Sequence, residues 1–121
     1  MEHLTLDSFK EKICECGIEG GAPDWKYKGE VPAVIDFYAD WCAPCKMVGP
    51  ILQDLSQEYQ GRVNIYKVNT ETEQQLAGMF GIRSIPSILF IPLEGKPQMA
   101  AGALPKEEFQ KLFKDILGVE K

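Results

Sequence analysis

The chemistry in this sequence is concentrated in Trp41-Cys42-Ala43-Pro44-Cys45-Lys46, where two cysteines stand three positions apart with a proline between them. A pair of this kind is a structural staple, half of a metal site, or a dithiol that cycles between reduced and oxidised forms. Structural zinc takes four ligands, and the chain offers no second CxxC and no HxxxH. His3, Cys14 and Cys16 are the remaining candidates, and a CxC spacing is unusual for zinc. A redox pair needs a thiolate to attack a disulfide sulfur and a second thiol close enough to resolve the mixed disulfide. The spacing favours that reading.

Whether Cys42 becomes a thiolate depends on what holds it. Ala33–Ala39 (AVIDFYA) is almost wholly apolar and rich in β-branched and aromatic residues, the pattern of a central strand covered on both faces. From Ala43 to Tyr59, the residues Met47, Val48, Ile51, Leu52, Leu55 and Tyr59 form a helical stripe, which Gly61 closes. Pro50 lies inside the stripe and predicts a kink. Cys42 therefore falls at a strand-to-helix junction, where free N–H groups and the helix dipole favour the thiolate. Cys45 lies within the first turn on the same side. Pro44 suits that turn, where a missing N–H costs little.

Asp36 interrupts the apolar strand six positions before Cys42. Burial of a carboxylate is costly and raises its pKa, which would let it exchange protons near neutral pH. The alternative is an outward-pointing strand residue, for which a doubly covered strand leaves little room. Lys67, on the next predicted strand, reads equally well as its charge partner or as a surface lysine. Ile85-Pro86 opens another buried strand, Ser87–Ile91. A proline there fits an edge, a first strand residue or a cis turn, and the sequence leaves the isomer open.

The remaining elements supply the scaffold. Leu6–Ile13 reads as a short helix with Asp7 or Ser8 as its cap and with Phe9 and Ile13 on one face. Val63–Val68 alternates as a strand, which completes a βαβ unit with parallel pairing. A short helix is expected over Thr72–Phe80, and a turn at Glu94-Gly95-Lys96-Pro97 leads into Gln98-Met99-Ala100. Lys106–Leu117 is an amphipathic helix presenting Phe109, Leu112, Phe113, Ile116 and Leu117. The class is α/β, a mixed sheet with helices on both faces.

Size and charge limit the function. A chain of 121 residues with 45% hydrophobic and 26% charged residues is read as one globular domain, 1–121, with an irregular surface loop at 17–32. A net charge of -5 argues against nucleic acid and anionic membranes. No apolar run approaches the roughly 20 residues that span a bilayer. No signal peptide is visible at the start, so a cytoplasmic location is expected, or a periplasmic one had a signal been removed.

The segments DFYADWCAPCKMVGPIL, YKVNTE, IPSILF and GKP…GAL together resemble the thioredoxin family, over about residues 4 to 117. The resemblance implies the thioredoxin fold, a central mixed sheet of about five strands flanked by four helices. It further implies a monomeric protein-disulfide reductase without a bound cofactor. Its redox-active disulfide, Cys42–Cys45, would be recharged by a flavin-dependent thioredoxin reductase, and its substrates would be disulfide-containing proteins. By the same resemblance Cys42 would be an exposed nucleophile and Cys45 the buried resolving cysteine. Asp36 would take the proton of Cys45 with Lys67 beside it, and Pro86 would be cis. Trp41, Ala43, Pro44, Gly81, Ile85, Gly102 and Ala103 would surround the substrate. Extracytoplasmic reductases, oxidases or isomerases are the alternative, and a redox-inert interaction module a further one.

Three features depart from the family pattern. Ala43 replaces the usual glycine, Tyr38 stands where many relatives have tryptophan, and the 17–32 loop is long. Cys14 and Cys16 lie outside the motif and are expected to be free thiols, at least one packed beneath the first helix.

Overall fold

The structure, a computed structural model, describes residues 1–14 and 25–120. Five strands form one sheet in the order β1-β3-β2-β4-β5. They are β1 (Glu2–His3), β2 (Ala33–Tyr38), β3 (Asn64–Asn69), β4 (Ser87–Ile91) and β5 (Gln98–Ala101). The helices are α1 (Leu6–Lys12), α2 (Ala43–Glu58), α3 (Gln74–Met79) and α4 (Lys106–Leu112), and a π-helical turn (Phe113–Leu117) continues α4. The strand β2 is central. It pairs parallel with β3, Asp36 opposite Lys67, and antiparallel with β4, Asp36 opposite Ile88. The β1 strand, two residues long, is too short for any alternation to show in sequence; it pairs parallel with β3, His3 opposite Lys67.

Alternation along the strands divides the core into two layers. On one face Ala33, Ile35, Phe37, Tyr66, Val68, Leu89 and Ile91 pack with Leu4, Phe9, Ile13 and Leu76 from the α1 and α3 side. On the other, Val34, Ile65, Ile88 and Phe90 pack with Val48, Leu52, Leu55, Phe109, Phe113 and Leu117 from α2, α4 and its continuation. Phe113 meets Tyr59 edge-on at a centroid distance of 5.0 Å, which joins the C-terminal helix to the end of α2.

Local chemistry explains where the helices start and stop. Thr5, not Asp7 or Ser8, caps α1: its hydroxyl accepts from Ser8 N–H at 3.1 Å, and Thr5 N–H donates to Ser8 Oγ at 2.8 Å. Glu73, at the N-cap of α3, makes no side-chain cap there because its Oε1 instead accepts from Leu6 N–H at 3.1 Å. That bond ties the start of α1 to the start of α3. The α2 helix runs unbroken through the exposed Pro50. Met47, expected on the buried stripe, is 68% exposed; the buried row is Cys45, Val48, Leu52 and Leu55, and Met47 lies just off it. After α2, Gly61 takes φ 83°, a left-handed turn open to glycine, and the chain reverses into β3.

Cys14 is buried beneath α1 as expected, but it is engaged in a disulfide, so the expectation of a free thiol is corrected there. Burial did not separate the two states, because both forms of sulfur bury well. Cys16 and residues 17–24 of the long loop lie outside the described residues. In the described remainder Tyr27 donates to the carbonyl of Val31 at 2.5 Å and closes a turn that leads into β2. The Tyr27 hydroxyl lies over Gly29, where a Cβ would stand 2.1 Å from it, so any larger residue there would displace the tip of the Tyr27 side chain.

Candidate active site

The C-terminal end of β2 delivers the cysteines. After Tyr38 the chain turns, Cys42 N–H donating to the Ala39 carbonyl at 3.2 Å, and α2 begins at Ala43. Cys42 is itself the N-cap: its Sγ accepts from Cys45 N–H at 3.2 Å. An N–H aimed at the sulfur and the positive end of a 16-residue helix both favour negative charge on Cys42. Pro44, in the first turn, leaves no donor unpaired. Cys42 and Cys45 form a disulfide with their Cα atoms 5.3 Å apart.

The two cysteines are almost equally buried, 3% and 5% exposed. Cys42 is therefore not the exposed member that was expected. Tyr38, Ala39 and Ile85 pack around the pair and cover it. What separates the two sulfurs is their surroundings. The Sγ of Cys42 lies 3.7 Å from the carbonyl oxygen of Ile85. Cys45 lines a cavity that it shares with Asp36.

The Ile85–Pro86 bond is cis, and Pro86 is buried at the entrance to β4. Gly102 N–H donates to the Pro86 carbonyl at 2.9 Å, which brings the exposed Gly102-Ala103 corner, just past β5, against the proline. Gly102 has φ 100°, and the turn needs a residue without a Cβ. Trp41 is 68% exposed beside the disulfide, with Ala43 and Pro44 also exposed. A groove of about 350 Å³ runs from Trp41 and Ile85 to Gly78, Ile82 and Arg83 at the end of α3. Gly81 does not line it, though the next residue, Ile82, does; Thr70, Gln74 and Arg83 line it without having been singled out from sequence. Of the three, Arg83 alone stands between the helical pattern and Ile85, whereas Thr70 and Gln74 lie before and within that helix and carry no sequence signal for the groove.

Asp36 is 2% exposed, on the α2 face of β2, and its Oδ1 has no hydrogen-bond partner among the described residues. It lines a cavity of about 340 Å³ together with Cys45, Lys67, Tyr38, Lys46 and Gln53. Burial pushes the Asp36 carboxyl up to about 7, and the positive charge of Lys67 partly opposes the shift. Among the described residues no ion pair joins Asp36 to Lys67, so the lysine acts through space from the neighbouring strand. The Lys67 ammonium lies instead over the ring of Tyr38, 5.7 Å from its centroid. Among the described residues no three His, Cys, Asp or Glu side chains converge on a possible metal position.

A helix N-terminal cysteine pair, the Ile85 carbonyl of a cis Ile–Pro bond beside one sulfur and a buried carboxyl lining a cavity with the other define a thiol–disulfide oxidoreductase. A family model described as Thioredoxin matches residues 26–115. The chain is 45% identical over 115 residues to the thioredoxin of Borreliella burgdorferi, across 95% of this chain and 96% of that one. It is 43% identical over 103 residues to thioredoxin 1 of Nostoc sp., across 85% and 84% of the two chains. Among solved structures, chloroplastic thioredoxin z superposes with a TM-score of 0.78 at 23% identity, covering 96% of this chain and 93% of its own, a likeness of fold. The chain belongs to the thioredoxin family, and its Cys42–Cys45 pair carries dithiol–disulfide exchange.

Proposed function

We propose that the chain is a single-domain protein-disulfide reductase, in which Cys42 attacks and Cys45 resolves. The Cys42 thiolate attacks one sulfur of a target disulfide. A mixed disulfide forms, and the first target sulfur leaves as a thiolate. Asp36 then accepts the proton of Cys45 across the shared cavity. The Cys45 thiolate attacks Cys42 Sγ, the intermolecular bond breaks, and the second target sulfur is released. The protein leaves oxidised, and the target has gained two electrons.

Substrate docking follows from the surface around the pair. An extended segment of the target would lie between Trp41 and the Gly102-Ala103 corner, its backbone meeting Ile85. Exposed Trp41 would supply apolar contact, and Ala43 and Pro44 would shape the edge nearest the attacked sulfur. A flavin-dependent thioredoxin reductase would return the two electrons, so the exchange itself needs no cofactor bound to this chain. No helix among the described residues is long and apolar enough to cross a membrane. We place the protein in the cytoplasm, where a reducing environment keeps such a pair in its dithiol form.

One observation carries this reading: the disulfide caps α2 beside the cis Ile85–Pro86 carbonyl, while Cys45 shares a cavity with Asp36. Reduction of insulin by dithiothreitol tests it. Cys42→Ser should abolish the acceleration, and Cys45→Ser should accumulate mixed disulfides that a non-reducing gel resolves. Full activity of Cys42→Ser would contradict the mechanism.

A further inference from the structure

Tyr38 stands two positions beyond Asp36 on the same strand, on the same side of the sheet. Its ring lies under the Lys67 ammonium, 5.7 Å from Nζ, and its hydroxyl is 3.4 Å from His3 Nδ1. In-register pairing makes His3, Lys67 and Asp36 direct neighbours across β1, β3 and β2. Tyr38, Lys67, Asp36 and Cys45 all line one cavity. Lysine is a point charge on a flexible four-carbon stem, and the half-buried Lys67 side chain has several positions open to it. An aromatic face restricts that sampling by attracting the cation to one place.

We propose that Tyr38 is a positioning residue: its ring holds the Lys67 ammonium beside the cavity that Asp36 and Cys45 share, so that the lysine charge acts on the proton transfer between them. The inference deepens the proposed function and rests on Asp36 accepting the Cys45 proton. In that step the S–H bond of Cys45 breaks and its proton passes to the Asp36 carboxylate. The sulfur electron pair forms the bond to Cys42, and the leaving sulfur departs with the electrons of the broken disulfide. No external oxidant or reductant enters.

Several other charged or titratable groups face the cavity. Asp40 comes from the turn after β2, Lys46 from α2, and the Met1 amino group donates to Gln53 Oε1 at 3.2 Å, while His3 of β1 meets the Tyr38 hydroxyl outside the lining. Lys67 is the cation whose field on Asp36 opposes the effect of burial. Without the Tyr38 ring, that ammonium is free to turn toward water. Burial is then less opposed, Asp36 keeps its proton to higher pH, and resolution by Cys45 slows near neutrality.

The test loads Cys42 of the full chain with 5-thio-2-nitrobenzoate and follows release of the thiol as Cys45 resolves the mixed disulfide, between pH 5 and 9. Tyr38→Leu should raise the midpoint of the pH–rate profile by roughly half a unit. Tyr38→Phe keeps the ring and should keep the midpoint. Lys67→Met should raise the midpoint at least as far, and adding Tyr38→Leu to it should produce no further shift. If Tyr38→Leu does not fold, Tyr38→Thr removes the ring with a good strand former. An unmoved midpoint in the ring-less variant, an additive shift in the double variant, or an equal shift in Tyr38→Phe would overturn the proposal. Asp36→Asn separates the two levels. A wild-type profile in that variant removes the proton-acceptor reading itself, whereas a flattened profile with an unmoved Tyr38→Leu midpoint removes only the role of Tyr38.

Discussion

The two faces of β2 share one backbone ladder and serve opposite ends. Ala33, Ile35 and Phe37 look toward α1 and α3 into a layer built from apolar side chains. Val34, Asp36 and Tyr38 look toward α2, and only Val34 joins the apolar layer there. Two residues farther along, a carboxyl occupies a site where burial raises its pKa to about 7. Burying a charge works against folding, and burying an aromatic ring works for it. One face of the strand holds the protein together. The other gives up part of that stability to bury a carboxyl in the cavity that Cys45 also lines.

This contrast is open to attack from both sides. The largest effect is expected at the cysteines. Cys42→Ser should reduce disulfide-reductase turnover to the uncatalysed background while the circular dichroism spectrum stays that of the parent. On the core face, Phe37→Ala should cost about 3–5 kcal/mol in urea unfolding, since its ring is fully buried and also meets Phe80 at 5.7 Å. The fraction that remains folded should still exchange disulfides. A core-face truncation that removed activity without loss of stability would erase the division between the faces.

Asp36→Asn moves the other way. The folded-state pKa, about 7, lies above the ordinary value of 3.8, so between these values the folded protein holds a proton that the unfolded chain releases. Stability is then greatest at low pH and is lost as the pH rises through about 7. The neutral amide does not pay this charge penalty. Above pH 7 the variant should be more stable than the parent, by on the order of 4 kcal/mol at most, with the difference vanishing below pH 4. Denaturation at pH 5 and pH 9 measures it, and equal gains at both would show that the carboxyl's charge is not responsible. Thr5→Ala, at a helix cap away from both faces, should cost only about 1 kcal/mol and leave exchange kinetics unchanged.

Apolar pattern carried most of the architecture into the sequence. β2, interrupted only by Asp36, and β4 were legible as apolar runs, and α2 and α4 as stripes, because packing on two sides leaves few polar positions in a strand and one-sided packing leaves a periodic row in a helix. Thr5 escaped because Asp7 and Ser8 are also good capping residues and only backbone geometry chooses among them. Met47 was misplaced because a residue one step off a stripe has the same composition as one on it. In the site, Cys42, Cys45 and Asp36 announced themselves by type and context. The near-equal burial of the two sulfurs did not, since it depends on how Tyr38 and Ile85 fold over the pair. Nor did the ring of Tyr38 beneath Lys67, which pairs a strand's last residue with a side chain from the next strand.

A protein-disulfide reductase needs Cys42 and Cys45 to form a reversible pair poised to donate electrons to other proteins. The reduction potential of that pair, measured by equilibration with glutathione, tests it most directly. Thioredoxins have potentials of about -270 mV, a figure borrowed from the family, and this chain should fall near it despite alanine at position 43. A value of about -180 mV or higher, in the range of isomerases and oxidants, would contradict the reductase reading.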